Sequence, residues 1–92
     1  MTLFTEYAKI RELHPDAIPL LRVGDFYETY GEGADTLARV LGLALTTRAG
    51  CRMAGFPCFY LEQYLARLVA AGLRVAVADP APGDDYNVTT RG

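Results

Sequence analysis

The segment from Arg22 to Glu28 carries the side chains with the clearest potential for chemistry. It consists of Arg-Val-Gly-Asp-Phe-Tyr-Glu and follows a short apolar run. Gly24 as the first central residue of a two-residue turn is the signal of a type II′ hairpin, which predicts a strand on either side. Because side chains alternate along a strand, Phe26 and Glu28 share one face and Tyr27 lies on the other.

The orientation of Tyr27 decides what this hairpin can do. If Tyr27 points into the core, Phe26 projects outward with the carboxylate of Glu28 beside it. A protruding aromatic side chain can enter between stacked bases and kink DNA from the minor groove, and a neighbouring glutamate can hydrogen-bond a displaced base. On its own the spacing is a weak signal, and it favours Phe26 as an ordinary core residue over an exposed one.

A catalytic or metal site has little support in the sequence. His14 is the only histidine, so no Cys/His zinc set can be assembled with Cys51 and Cys58. The sequence contains no P-loop and no dinucleotide-binding fingerprint. An alternative, a metal-dependent nuclease, requires several acids to converge on a divalent ion; the candidates are Asp25, Glu28, Glu32 and Asp35. We predict no catalytic residue, no metal ligand and no cofactor.

The composition indicates one small globular domain with a slight negative charge. The chain has 92 residues, of which 51% are hydrophobic and 22% charged, and its net charge is −2. Strong non-specific DNA binding depends on Lys and Arg at phosphates, so any DNA contact must be local or assisted by other domains or copies. We expect reduced thiols and a cytoplasmic location, and no apolar run reaches the ~20 residues of a membrane span.

The apolar periodicity predicts alternating helices and strands. We expect an α/β (α+β) fold in which about three helices flank a mixed sheet. Residues 48–52 are predicted to be an exposed loop with two arginines, and 79–92 a linker or a C-terminal edge segment. The predicted helices are 3–13, capped by Thr2, 34–41, ended by Gly42, and 59–71, followed by Gly72. The predicted strands are 18–23, 26–30, 43–47, 53–56, 73–78 and 86–90.

Several ordered motifs between about residues 3 and 80 resemble one family. Arg22–Glu28 resembles the segment of MutS proteins that carries their Phe-x-Glu motif. The further matches are Leu45-Thr-Thr-Arg48, similar to Leu-Thr-x-Arg; Met53-Ala-Gly-Phe-Pro57, similar to Met-Ala-Gly-Ile-Pro; and Tyr64-Leu-Ala-Arg-Leu-Val69 with Gly72. The chain departs from the pattern at Cys58-Phe59-Tyr60 and at Asp79-Pro80. The resemblance implies a single domain over 1–92, similar to the N-terminal mismatch-recognition domain (domain I) of the MutS family.

The resemblance also implies roles for four residues. Phe26 would stack on a mispaired or unpaired base, Glu28 would hydrogen-bond that base, and Arg22 and Arg48 would contact phosphates or the DNA backbone. The implied partner is mismatched double-stranded DNA, with other MutS-type domains or a homodimer as further partners and a nucleoid-associated location. ATP and Mg²⁺ belong to the full-length family, and without an ATPase motif this chain is predicted not to be an enzyme. The alternative is a protein-interaction module that keeps the fold but has lost DNA reading.

Overall fold

The computed structural model describes residues 2–83 and 85–92, which build one mixed six-stranded sheet with three helices. The prediction of a mixed sheet flanked by about three helices is confirmed. The strand order is β3-β4-β2-β1-β5-β6, in which β1 and β5 run parallel and every other neighbouring pair is antiparallel. The elements are α1 (Leu3–Leu13), β1 (Ile18–Val23), β2 (Phe26–Tyr30), α2 (Glu32–Leu41), β3 (Thr46–Arg48), β4 (Cys51–Pro57), a 3₁₀ turn (Cys58–Tyr60), α3 (Leu61–Ala70), β5 (Val75–Pro80) and β6 (Tyr86–Arg91).

The two faces of the sheet are covered to different extents. Helices α2 and α3 pack on one face, around a core that includes Leu20, Tyr27 and Phe56. On the other face, α1 packs through Ile10 on the β1 and β5 half. It also touches Tyr30, at the end of β2 away from the hairpin turn. We call the part of this second face formed by β2, β4 and β3 the open face.

Local signals set the helix ends close to where the sequence places them. The Thr2 hydroxyl accepts a hydrogen bond from the Thr5 N–H at 3.1 Å, as expected for the cap of α1. Gly72, at φ +84°, ends α3. Its N–H donates to Val69 O and the next N–H to Leu68 O, which is the Schellman arrangement. The predicted helix 59–71 is wrong at its start, because residues 58–60 form a 3₁₀ turn before α3.

The predicted loop at 48–52 is wrong. These residues form the tight end of the β3–β4 hairpin, with Ala49 at φ +50° and Gly50 at φ +79° in the turn. Positive φ at both central residues is the type I′ pattern, which Asn-Gly or Asp-Gly usually signals and alanine does not. The predicted strand 43–47 accordingly shifts to Thr46–Arg48, and 53–56 lengthens to Cys51–Pro57.

The C-terminal segment completes the sheet. Strand β5 begins at Val75, two residues after the predicted start, and extends to Pro80. Strand β6 pairs with it antiparallel from Tyr86 to Arg91 and forms one edge of the sheet. The segment 79–92, predicted as a linker or an edge segment, therefore contributes an outer strand.

Candidate nucleic-acid interface

The β1–β2 hairpin holds Phe26 at one end of the open face. Gly24 has φ +59° and Asp25 has no positive φ, the pattern of the predicted type II′ turn. Tyr27 is only 4% exposed, whereas Phe26 is 47% exposed. The alternation that puts Tyr27 in the core therefore leaves a large aromatic side chain in solvent beside the turn.

Tyr27 fixes this orientation through contacts of its ring and of its hydroxyl. Its ring lies 6.0 Å from that of Phe56, and its hydroxyl donates a hydrogen bond to Asp79 on β5. Burial, with a contribution from the Asp79 carboxylate, raises the pKa of Tyr27 to about 12. The hydroxyl is therefore a stable neutral donor at physiological pH, and β2 cannot turn over without breaking these contacts.

Glu28 lies on the same face as Phe26, but its side chain is buried and hydrogen-bonded to neighbouring residues. It is only 5% exposed. Its Oε1 accepts from the Tyr30 hydroxyl at 2.9 Å and from Arg48 Nε at 2.9 Å, and its Oε2 accepts from Arg48 Nη2 at 2.7 Å. The hydrogen bond to Glu28 raises the pKa of Arg48, and burial followed by the Glu28 hydrogen bond raises that of Tyr30. The carboxylate is held in one position by charged and neutral donors.

Gly55 provides the room that Glu28 needs. The two residues face each other across the β2–β4 pair. A Cβ at position 55 would lie 2.8 Å from Tyr27 O and 3.2 Å from Glu28 Cγ. Sequence reasoning missed Gly55 and Tyr30 as parts of the site, although a glycine inside a strand is a signal for close approach of another group.

The two arginines predicted near Phe26 lie on opposite faces of the sheet. Arg48 is on the open face, against Glu28. Arg22 pairs with Tyr27 and therefore lies on the α2–α3 face, where its guanidinium sits 5.6 Å from the Tyr27 ring centre. Its Nε donates to Gly24 O, and its Nη2 lies 3.9 Å from Asp25 Oδ1. The neighbouring Tyr27 side chain is the main cause that raises the pKa of Arg22. The structure thus unites Phe26, Glu28 and Arg48 on one face.

A second exposed aromatic side chain lies at the same end of the sheet. Phe59 is 78% exposed, and its ring centre is 4.7 Å from that of Tyr60. The Cys58 N–H donates to Asp25 O at 2.7 Å, which ties the 3₁₀ turn to the β1–β2 turn. Sequence reasoning placed Phe59 at the start of a helix and missed its exposure.

The acids near the hairpin are separated by arginines. Four carboxylates each lie within 4.0 Å of a different arginine, in the pairs Asp25–Arg22, Glu28–Arg48, Glu32–Arg11 and Asp35–Arg52. Arg52 lowers the pKa of Asp35 chiefly by hydrogen bonding to it. Residues 2–83 and 85–92 contain no group of three His, Cys, Asp or Glu side chains able to hold a metal ion. The convergence required by the nuclease alternative is therefore not seen among them.

Comparison with known proteins identifies the family. Residues 1–91 match the family described as MutS domain I. The chain belongs to this family. The curated relatives that this MutS domain I chain matches include proteins named DNA mismatch repair protein MutS from Porphyromonas gingivalis, 49% identical over 82 residues, and from Salinibacter ruber, 43% identical over 88 residues. The match covers 84% and 90% of the chain but only 9% and 10% of those relatives, so the chain spans about a tenth of their length.

The predicted resemblance to MutS domain I is thus confirmed. A third relative of the same name, from Thermotoga neapolitana, is 47% identical over 77 residues, and the match covers 84% of the chain and 10% of the relative. Among the described residues of this MutS domain I chain, no helix is long and apolar enough to cross a membrane.

Proposed function

We propose that this MutS domain I chain binds duplex DNA at mispaired or unpaired sites, with Phe26 as the residue that enters the base stack. The supporting observation is the exposure of Phe26 on a hairpin whose neighbouring ring, Tyr27, is anchored in the core. An exposed aromatic side chain on a rigid hairpin loses less conformational entropy when it stacks on a base than one on a flexible loop. The relatives' names as DNA mismatch repair proteins support the same function.

The energetics favour a defective site over an intact one. Stacking one aromatic side chain on a base contributes about 1–3 kcal/mol. Opening a base step costs a few kcal/mol, and less where pairing is already defective. Phe26 therefore recovers the cost of insertion at a mismatch but not in a matched duplex. Preference arises from the deformability of the site, with little sequence readout.

Other residues give this insertion its register. In our proposal Glu28 accepts a hydrogen bond from the displaced base, because it follows Phe26 on the same face. Arg22 supplies positive charge beside the β1–β2 turn, where a phosphate contact would fix the position of the domain on the duplex.

The test is a fluorescence-anisotropy titration of a mismatched and a matched duplex at low ionic strength. The variants are Phe26→Ala and, as a matched control, Phe59→Ala, which removes an equally large and more exposed ring at the same end of the sheet. We expect the wild type to prefer the mismatch and Phe26→Ala to lose about 1–3 kcal/mol of binding to it. Phe59→Ala should keep the preference.

Two outcomes would contradict the proposal. Equal loss of mismatch preference in both variants would indicate a general aromatic contact and no specific role for Phe26. If the wild type does not distinguish the duplexes, or binds neither, the fold is retained without the DNA function. The exposed Phe26, Phe59 and Tyr60 would then be the surface to examine for a protein partner.

A further inference from the structure

An acidic side chain on a DNA-binding surface presents an electrostatic problem. The duplex carries one negative charge per about 1.7 Å of its axis, so an isolated carboxylate would be repelled before it reached a base. Glu28 is the acid next to Phe26 on the open face, and its side chain is 7% exposed beneath an Arg48 side chain that is 40% exposed. Arg48 is therefore the more accessible member of the pair, and an approaching duplex meets its charge before that of Glu28.

The contacts of Glu28 fix the plane of its carboxylate and leave room for a limited number of further hydrogen bonds to it. An ionised carboxylate offers about four acceptor positions on its two oxygens. Oε1 receives two donors, Tyr30 Oη and Arg48 Nε, while Oε2 receives one, Arg48 Nη2. With the donors of residues 2–83 and 85–92 counted, one acceptor position remains, and it is on Oε2. A single base N–H can be accommodated there without breaking any existing bond.

Arg48 reaches Glu28 from a distant register position. Arg48 is paired with Cys51, whereas Glu28 is paired with Gly55, four residues further along β4. Its side chain must extend along the open face to form the two parallel hydrogen bonds at 2.9 and 2.7 Å. Such a bidentate arrangement needs the planar guanidinium fork, which lysine lacks.

We propose that Arg48 is a positioning residue for Glu28, which neutralises its charge towards the DNA phosphates and orients Oε2 towards the base, and that Arg48 is not itself a phosphate anchor. The inference rests on the proposed function of Phe26 and Glu28. Arg48 then has two effects. Neutralising the charge of Glu28 affects the affinity for every duplex, whereas orienting Oε2 affects the affinity for the mismatch alone.

The two effects are distinguished by substitutions at the pair. Arg48→Met keeps the aliphatic stem and removes the charge, so affinity for the matched duplex should fall about tenfold. Adding Glu28→Gln removes the exposed negative charge and should restore that affinity to within about threefold. Arg48→Lys keeps the charge but lacks the planar guanidinium fork, so its affinity for the matched duplex should persist. Its mismatch preference should fall to that of Glu28→Ala, a variant without the carboxylate that accepts from the base.

A second arginine–carboxylate pair, between strand β4 and helix α2, provides the control. Arg52 Nε and Nη2 donate to the two oxygens of Asp35, both at 2.8 Å, on the opposite face of the sheet. Arg52→Met, alone and with Asp35→Asn, repeats the charge changes away from Phe26. These variants should leave both affinities within about twofold of wild type, since the pair lies on the other face and beside Gly31, at the end of β2 away from Phe26. Circular dichroism should show that each variant is folded.

The outcomes separate this inference from the proposed function. If Glu28→Gln does not rescue Arg48→Met, and the salt dependence of Arg48→Met drops by about one phosphate equivalent, Arg48 is a phosphate anchor and the inference is wrong. Full mismatch preference in Arg48→Lys would also overturn it. Both results leave the role of Phe26 intact if Phe26→Ala still abolishes the preference. A wild type without mismatch preference overturns the proposed function and this inference together.

Discussion

Chemically similar residues of the β1–β2 hairpin differ in exposure and hydrogen bonding because different groups surround them. Tyr27 and Phe26 are both aromatic, but only Tyr27 has a hydroxyl that finds an acceptor, Asp79, across the sheet. Asp25 and Glu28 are both acidic, but the Asp25 side chain is 96% exposed whereas Glu28 is buried beneath Arg48. Single-residue changes at this hairpin should therefore have separable effects on stability and on binding.

Replacing Tyr27 with phenylalanine should alter how stability depends on pH. A tyrosine ionises near pH 10 in the unfolded chain, whereas the folded pKa of Tyr27 is about 12. The unfolded state therefore loses the proton first, and this contribution to the free energy of unfolding is complete below pH 10 and lost as pH rises through 12. Tyr27→Phe should decline less steeply over this interval and, without the Asp79 hydrogen bond, be about 1 kcal/mol less stable at neutral pH.

Urea unfolding at a series of alkaline pH values measures this difference. Asp79→Asn serves as the partial control, because burial is the larger cause of the raised pKa and remains in place. Its slope should lie between those of wild type and Tyr27→Phe. Identical slopes for wild type and Tyr27→Phe above pH 10 would show that Tyr27 does not contribute.

Gly55→Ala should disturb Glu28 through steric contact. The new Cβ would lie 2.8 Å from Tyr27 O and 3.2 Å from Glu28 Cγ, so the glutamate must move. We expect a loss of about 1–3 kcal/mol in stability and a fall in mismatch preference. The control is Ala54→Gly, which perturbs the adjacent buried position on the opposite face and should lower the melting temperature without changing the preference. Unchanged preference in Gly55→Ala would contradict the role assigned to Gly55.

At the scale of elements, the sequence predicted what local chemistry determines. Helix α1, the β1–β2 hairpin and the glycine ends of α2 and α3 follow from capping, turn type and periodicity. The two strands of the β3–β4 hairpin were predicted with a loop at 48–52 between them, but their tight turn was not, because Ala49 in a left-handed conformation carries no turn signal. The Glu28–Arg48 contact was missed for the same reason. An arginine on a strand can be assigned to one face of the sheet from its register, whereas an arginine in a loop cannot.

The Ala49-Gly50 turn leads to a prediction about the stability of this hairpin. A left-handed conformation costs an L-residue roughly 1–2 kcal/mol, and asparagine tolerates it better than alanine. Ala49→Asn should therefore raise the melting temperature by about 4–8 °C per kcal/mol gained, whereas Gly50→Ala, at φ +79°, should lower it. Differential scanning calorimetry provides the measurement. A lower melting temperature for Ala49→Asn would indicate that the turn does not have the type I′ conformation.

The molecule as a whole carries little unpaired positive charge. Six of the nine cationic side chains lie within 4.0 Å of a carboxylate. Within residues 2–83 and 85–92, the three cations without such a partner are spread over the three helices: Lys9, Arg39 and Arg67. The net charge of −2 follows from the composition. The pairing of arginines with carboxylates depends on tertiary contacts, which the apolar periodicity of the sequence does not predict. Affinity for DNA should therefore depend weakly on the phosphate backbone.

This charge arrangement predicts a shallow salt dependence and a way to increase it. Each neutralised phosphate contributes about −0.9 to the slope of log K against log salt, so the wild type should have a slope no steeper than about −2. Asp25→Asn frees Arg22 beside the hairpin and should steepen the slope by about one contact. Asp16→Asn makes the same charge change next to Arg74, which flanks the start of β5 at the opposite end of the sheet, and should not. Equal steepening in both variants would show that net charge governs binding; steepening in Asp25→Asn alone would locate the duplex at the Phe26 end of the sheet.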